Sequence, residues 1–301
     1  MVKGLAMMLN ELRRRYVADI VPDATWREVM VAGVRCEAIV AGNGPPVVLM
    51  HGGLDSCLQW VPILSTLSAR LRCYVPERPS NGASDAFDYR GLDGDFRSHA
   101  AGVVADMFDG LDIDQAPLVG NSMGGLFSLA FATAHPDRVE RVVFVGVPAG
   151  QEDHALPAPV RMMAHPLTRQ LIARLSARAG PRDTRRIVRQ LIMARPDRYP
   201  EPLLEIATAT TRRNARAWRD FASRMAAGGS LRADLRSSDW LGDLNVPASY
   251  IVGSRDAFGT AQSIQQLAAG IGAGVTVIPD AGHLPWLDEP DLVTDAIVNS
   301  L

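Results

Sequence analysis

The chain has 301 residues, close to the size at which a single hydrophobic core stops growing, so we expect one large domain that carries an inserted subdomain. Apolar residues make up 47%, charged residues 21%, and the formal net charge is −2, a composition that gives no sign of nucleic-acid or membrane-surface binding. Cys36, Cys57 and Cys73 form no Cys-x-x-Cys pair, which argues against a disulfide framework and a zinc site. Because neither a signal peptide nor an apolar run of ~18 residues is recognised, we expect a cytoplasmic protein without a membrane span.

The first half of the chain begins with an amphipathic pattern and then alternates strands with helices. Leu5, Leu9 and Tyr16 belong to the inner stripe of an N-terminal helix, which we expect to have a basic outer face and to dock on the domain or on a partner. The predicted strands and helices that follow are the hairpin 26–31 and 34–40, the strands 47–50 and 73–76, and the helices 60–69 and 103–111.

The alternation continues through strands at 117–119 and 141–146 but breaks over residues 150–240. Helical segments punctuated by prolines fill that stretch, which we interpret as a helical cap, or lid, inserted into the core. The pattern resumes with strands at 248–253 and 275–278 and ends with a helix over 289–301. We therefore expect a core of residues 1–149 and 241–301 and a cap of residues 150–240.

A Gly-x-Ser-x-Gly pentapeptide, Gly120 to Gly124, stands between an apolar run and a helical pattern. This is the context of a nucleophile elbow, a sharp strand-to-helix turn that exposes the serine hydroxyl. Ser122 is therefore the candidate nucleophile. On the pentapeptide alone, a strand that ends in a helix N-cap serine is the alternative.

A serine hydroxyl needs a base that takes its proton and an acid that orients the base. Asp256 directly follows one predicted strand, and His283 follows the next. Because parallel strands end at the same edge of a sheet, we expect both side chains near Ser122. The order Ser122, Asp256, His283 is the order of an α/β-hydrolase triad.

An acyl-transfer site also needs backbone donors for the oxyanion. The amide after the nucleophile, that of Met123, supplies one. Gly53 in the glycine-rich loop after the strand 47–50 is our choice for the second, with Leu54 as the fallback. A plain glycine-rich turn is the alternative for this loop.

From about Trp26 to Leu301 the sequence resembles the α/β-hydrolase fold superfamily. The motifs that carry the resemblance are His51-Gly52-Gly53, Arg78-Pro79-x-x-Gly82-x-Ser84-Asp85, Gly120-Asn121-Ser122-Met123-Gly124-Gly125, Gly253-x-x-Asp256 and Gly282-His283. The resemblance implies an α/β fold with a mostly parallel eight-stranded sheet flanked by helices and an inserted helical cap. It requires no metal or organic cofactor.

The elbow is also similar to that of the meta-cleavage-product hydrolases, which cut carbon-carbon bonds in vinylogous diketones. Those enzymes carry a longer glycine-rich loop where this chain has Leu54-Asp55, and a tryptophan where it has Leu284. We therefore expect a hydrolase of a small-molecule carboxylic ester, lactone or thioester. Carbon-carbon hydrolysis, cofactor-free perhydrolysis and a non-catalytic ligand-binding protein remain alternatives, and a homo-oligomer is left open.

Charge is divided unevenly between the two predicted parts. Residues 151–240 contain 17 arginines and nine acids, a net charge of +8, which leaves −10 for the remainder. One interpretation is that these charges lie on solvated faces and help the cap to dock on the core. The alternative is that some arginines face the cleft and attract an anionic substrate. Five apolar residues of the cap are candidates for the lining of an acyl pocket, and the alternative is that they only pack within the cap. They are Met162, Met163, Leu167, Leu171 and Ile172.

Overall fold

The computed structural model describes residues 2–53, 55–92, 95–151, 157–227 and 230–301. Eight strands form one sheet in the order β1-β2-β4-β3-β5-β6-β9-β10, and two short strands, β7 and β8, form a separate ribbon. The first strand pairs, β1 with β2 and β2 with β4, are antiparallel, and all the others in the large sheet are parallel. This is the mostly parallel eight-stranded sheet that the sequence predicts.

The strands are β1 Thr25–Val31, β2 Val34–Ala41, β3 Pro46–Met50, β4 Arg72–Pro76, β5 Ala116–Asn121, β6 Val139–Val145, β7 Ala226–Ala227, β8 Ser230–Leu231, β9 Ala248–Gly253 and β10 Gly274–Ile278. The α-helices are α1 Val2–Ile20, α2 Val61–Ser68, α3 Phe96–Gly110, α4 Met123–Ala134, α5 Ala158–Ala164, α6 Arg169–Ser176, α7 Pro181–Ile187, α8 Glu201–Met225, α9 Ala261–Gly270, α10 Pro285–Asp288 and α11 Pro290–Ser300.

The central strands are apolar on both sides because helices cover both faces of the sheet. Neighbours in sequence belong to different clusters: Val48 and Leu118 pack with α3 and α4, whereas Leu49 and Val119 pack with α1, α2 and α11. This alternation follows from the two-residue period of a strand. It gives the near-continuous apolar runs that mark these strands in the sequence.

Helices fill most of the segment between β6 and β9, as the sequence predicts for residues 150–240, which we call the cap segment. The prediction of no strand in this segment is wrong, since β7 and β8 pair there. Two-residue strands are too short to show a period of two, which explains why the pattern missed them.

The N-terminal helix α1 packs against α2 and α8. Leu9, Tyr16 and Val17 are buried, but so is Arg13, whose exposed fraction is 0%. The predicted basic outer face is therefore wrong for Arg13, although Arg14 and Arg15 are exposed. A helical wheel places Arg13 beside Leu9 and Val17, one turn from each, and only the acidic partners inside the fold account for its burial.

Within the part of the chain that the structure describes, no helix is long and apolar enough to cross a membrane.

Candidate active site

Ser122 lies in the turn between β5 and α4 with φ 50° and ψ −114°, a strained conformation for a residue with a side chain. The flanking glycines are required by close approach of the backbone. A Cβ on Gly124 would lie 2.2 Å from the Met50 carbonyl oxygen, and one on Gly120 would lie 2.7 Å from Gly125 Cα. The elbow geometry that the pentapeptide predicts is therefore present.

Asp256 and His283 contact each other at the same edge of the sheet. His283 Nδ1 lies 2.8 Å from Asp256 Oδ2 and 2.9 Å from Oδ1. Two backbone amides also donate to this carboxylate, Val147 N–H to Oδ2 and Phe258 N–H to Oδ1, each at 2.9 Å. With Nδ1 donating to the carboxylate, Nε2 is the nitrogen left to act as a base.

Ser122 and His283 line one cavity. Among the described residues, no hydrogen bond joins the Ser122 hydroxyl to the His283 ring. Hydrogen bonds of this type are often long in the absence of substrate and tighten when it binds. The structure thus brings Ser122 and His283 to one cavity, and Asp256, which does not line it, is joined directly to His283.

The predicted oxyanion donors are neighbours. A Cβ on Gly53 would lie 2.9 Å from Met123 Cγ, and one on Gly52 would lie 3.5 Å from Ser122 Cβ. Met123 is the first residue of α4, where N–H groups have no partner within the helix. The fallback, Leu54, lies outside the described residues.

Two side chains fix the Gly52–Gly53 peptide. His51 Nδ1 donates to the Gly52 carbonyl oxygen at 2.8 Å, and the Arg78 guanidinium donates to the same oxygen. His51 Nε2 in turn accepts from the Arg78 backbone N–H at 3.0 Å. Because this peptide is trans, the Gly53 N–H points opposite to the Gly52 carbonyl, away from His51 and Arg78.

A buried charge network lies behind this loop. Arg13 donates to Glu37 at 2.6 Å and to Glu77 at 2.9 Å, and Glu77 also accepts from Cys57 N–H at 2.9 Å. Burial opposes the charge of Arg13, but Glu77, Cys57 and Glu37 outweigh it and raise its pKa. Burial, and then Arg78, lower the pKa of His51, which keeps its ring neutral.

Asn121, the residue before the nucleophile, connects three segments. Its side-chain amide donates to the Val145 carbonyl at 2.7 Å and to the His283 carbonyl at 3.2 Å. Its oxygen accepts from Gln59 Nε2 at 3.3 Å. The sequence pattern assigns no role to Asn121 or Gln59, since the role of a buried amide can be recognised only when its partners from distant segments are known.

The cavity has a volume of about 1060 Å³. Side chains of the cap segment form much of its lining, with Met162, Met163 and Ile172 among them. Three of the five acyl-pocket candidates therefore line the cavity, whereas the prediction is wrong for Leu167 and Leu171, which do not line it and are 86% and 56% exposed.

Charged side chains also line the cavity. Arg178 and Arg186 of the cap segment do so, which favours the cleft-facing alternative for these two arginines. Asp55 lies on the opposite, core side. Burial, and then the charge of Glu77, raise the pKa of Asp55 to about 7. Within the described residues, no group of three His, Cys, Asp or Glu side chains could hold a metal ion.

The comparison with known proteins agrees with this geometry. The model of the alpha/beta hydrolase family matches residues 47–296, most of the chain. The chain belongs to this family. Its N-terminal helix α1 and strands β1 and β2 lie outside the matched range.

Relatives of this hydrolase include enzymes with different substrates. It is 35% identical over 128 residues to a 2-hydroxymuconate semialdehyde hydrolase of Pseudomonas sp. strain CF600, an alignment that covers 40% of this chain and 42% of that relative. The chain thus spans less than half the length of that protein. It is 24% identical over 265 residues to carboxylesterase YbfK of Bacillus subtilis, covering 86% of this chain and 81% of the relative.

A solved structure of naproxen esterase from Bacillus subtilis shares the fold of this hydrolase. The TM-score is 0.71 at 21% identity, and the alignment covers 97% of this chain and 96% of that one. At this identity the likeness shows the fold alone. Substrate and mechanism have to be argued from the residues of the cavity.

Proposed function

We propose that this hydrolase cleaves small-molecule carboxylic esters, with lactones and thioesters as variants, through an acyl-enzyme on Ser122. The observation that carries the proposal is a strained serine in an apolar cavity whose histidine is held by a doubly supported carboxylate. The family membership supports hydrolysis, and the relationship to a carboxylesterase over most of the chain supports an ester as the substrate.

In the proposed reaction, Ser122 Oγ attacks the ester carbonyl carbon while His283 Nε2 takes the hydroxyl proton. Asp256 holds the Nδ1–H tautomer and stabilises the imidazolium. The Gly53 and Met123 N–H groups donate to the oxyanion. The C–O bond to the alcohol then breaks, and His283 returns its proton to the leaving oxygen.

Deacylation repeats the same steps with water. His283 Nε2 takes a proton from a water molecule that attacks the acyl carbon, and the ester bond to Ser122 breaks as the proton passes to Oγ. The residues of the cap segment that line the cavity would hold the acyl or alcohol part away from water. We assign core and cap roles to residues 1–149 with 241–301 and to residues 150–240, respectively. No step needs a cofactor or a metal.

Carbon-carbon hydrolysis is the second candidate, and the 35% identity to a semialdehyde hydrolase favours it. That reaction needs the same serine, base and oxyanion donors, so the site residues do not separate the two. A comparison of p-nitrophenyl esters of increasing chain length with a dienol-type diketone does. Faster turnover of the diketone would replace the ester proposal.

A fluorophosphonate tests the nucleophile. We expect one covalent adduct on the wild type, mapped to the peptide that contains Ser122, and none on Ser122→Ala. Ser128→Ala is the matched control, because Ser128 is a buried serine of the following helix that does not line the cavity. A folded wild type that stays unlabelled would favour a ligand-binding protein instead.

A further inference from the structure

The exposed side of α5 to α7 is strongly basic. Residues 157–192 contain eight arginines and one acid, Asp183, a net charge of +7. Seven of these arginines are exposed. Among the described residues, only Arg185 of this set forms an ion pair, with Glu201 at 2.7 Å. We call the exposed residues between 161 and 189 the cap face.

The cap face also exposes large apolar side chains. Leu167 is 86% exposed, Leu171 56% and Leu175 55%. Of the nine large apolar side chains that are most exposed in the described residues, five lie on the cap face. Soluble proteins scatter such residues singly, and a concentration of them marks an interaction surface.

The apolar and basic residues are interleaved. Leu171, Arg174 and Leu175 are three and four residues apart, so they share one side of α6, and all three are exposed. Ala173, on the other side of the helix, is buried. Leucines on an exposed helix side, with arginine beside them, suit a lipid surface, where apolar side chains enter the acyl region and arginine meets the headgroups.

The cap face also reaches the opening of the cavity. Met162, Leu175 and Ile187 are each at least 40% exposed and also line the cavity. A side chain that meets both solvent and the cavity lies at the rim. The rim of the cavity is thus part of the same basic and apolar surface.

We propose that the cap face docks on an anionic lipid surface and that the acyl substrate passes from it into the cavity. A second copy of the chain fits less well, because a two-fold contact would place one cap face with its positive charge against another. Docking does not depend on catalysis. Only the delivery of an acyl substrate rests on the proposed function.

Vesicle co-flotation of full-length Ser122→Ala protein tests docking without hydrolysis of the lipid. We expect binding to vesicles of phosphatidylcholine mixed with phosphatidylglycerol and much weaker binding to pure phosphatidylcholine. Raising salt from 0.1 to 1 M shortens the Debye length from about 10 Å to about 3 Å and should release the protein.

Two sets of variants separate the contribution of the leucines to vesicle binding from that of the arginines. Each set changes only residues that do not line the cavity. In the same background, Leu167→Ser with Leu171→Ser should weaken binding roughly tenfold. Arg161→Gln, Arg174→Gln and Arg182→Gln together should weaken it on the order of a hundredfold. The matched controls, Met30→Ser with Leu292→Ser and Arg70→Gln with Arg72→Gln and Arg255→Gln, change exposed residues of the core and should bind like the parent.

Equal binding to both vesicle types would overturn docking, and so would an equal loss of vesicle binding in the core controls. A protein that binds no vesicles and self-associates, with the self-association abolished by the leucine substitutions, would also overturn it. With Ser122 restored, the same variants should hydrolyse a short water-soluble p-nitrophenyl ester as the wild type does. Failure to bind with intact ester hydrolysis rejects docking alone. Binding without any ester hydrolysis rejects the proposed function and leaves docking in place.

Discussion

The carboxylate of Asp256 accepts hydrogen bonds from two backbone amides as well as contacting His283. The amides of Val147 and Phe258 each occupy one of its oxygens, and its side chain is completely buried. Its orientation is therefore set by the loop after β6 and by its own turn, before His283 adds a third contact. A carboxylate fixed in this way can keep an imidazole in one tautomer throughout a reaction cycle.

Replacing this carboxylate should therefore affect turnover far more than folding. We expect Asp256→Asn to reduce kcat on a p-nitrophenyl ester by about 10⁴, because the amide favours the wrong tautomer of His283. The unfolding temperature serves as the check on folding. Asp280→Asn is the control, an acid of the neighbouring loop that is exposed and pairs with Arg255. A loss below tenfold in Asp256→Asn would show that another acid orients the histidine.

Asp55 makes the free energy of unfolding depend on pH. Its pKa is raised from 3.8 to about 7 in the folded protein. Between these values the unfolded chain releases the proton and the folded chain keeps it, so this residue makes stability fall as pH rises, until the folded pKa is passed.

The substitution Asp55→Asn removes that effect. The unfolding free energy of the variant minus that of the wild type should rise from about pH 4 to about pH 8. We expect a rise of about 1 to 3 kcal/mol after allowance for partial exposure of the side chain. Urea unfolding of both proteins at the two pH values measures the difference. An unchanged difference would mean that Asp55 ionises as it does in the unfolded chain.

The conformation of the loop after β3 depends on contacts from the loop after β4. His51 and Arg78, which do not line the cavity, hold the Gly52 carbonyl, and the planar trans peptide turns the Gly53 N–H away from them. Arg78 is otherwise poorly satisfied. Its Nε and Nη1 atoms are buried without a hydrogen-bond partner among the described residues, and burial lowers its pKa to about 10.

Because Arg78 is incompletely hydrogen-bonded, we expect Arg78→Met to lower activity much more than it lowers stability. Removing an incompletely paired buried charge should change the free energy of unfolding by less than about 2 kcal/mol. Loss of one support for the peptide should lower kcat about tenfold to a hundredfold with little change in KM, below the 10²–10³ cost of losing an oxyanion donor. Steady-state kinetics and urea unfolding measure both.

Arg70→Met, at an exposed arginine, is the control for the Arg78 substitution. An Arg78→Met protein that loses stability but keeps its kcat would show that Arg78 supports the fold and not the oxyanion loop.

Helix α1 contributes a buried arginine to the charge network next to the candidate active site. It lies outside the range that the family model matches, yet its Arg13 is the cation between Glu37 and Glu77. Glu77 also accepts from the N–H of Cys57, a few residues after the Gly52–Gly53 peptide. The N-terminal helix therefore neutralises charges on β2 and at the end of β4, next to the candidate active site.

Removal of this cation should be costly. We expect Arg13→Met to lose about 3–5 kcal/mol of unfolding free energy, since it leaves the buried Glu77 without its arginine partner. Arg14→Met should lose at most about 1 kcal/mol, because Arg14 binds the same Glu37 from a side chain that is 43% exposed. Urea unfolding of the two variants gives the comparison. Equal losses would show that Arg13 contributes no more than a surface arginine.

The fold, and a consistent set of candidate active-site residues, could be predicted from the sequence alone. Helix and strand periods follow from local geometry, and the glycines around Ser122 are required by that turn in any protein that contains it. The order of strands along the chain places Asp256 and His283 at the edge where Ser122 emerges, because parallel strands end together.

The tertiary structure was needed to learn which polar residues share partners and which side chains are exposed together. The helical wheel places Arg13 between Leu9 and Val17, but its burial is explained only when Glu37 and Glu77 are brought to it from other parts of the chain. The net charge of +7 over residues 157–192 can be counted in the sequence. The exposure of seven of its arginines together with Leu167, Leu171 and Leu175 cannot. Burial and proximity arise from contacts between residues that are distant in sequence, and a local pattern cannot contain them.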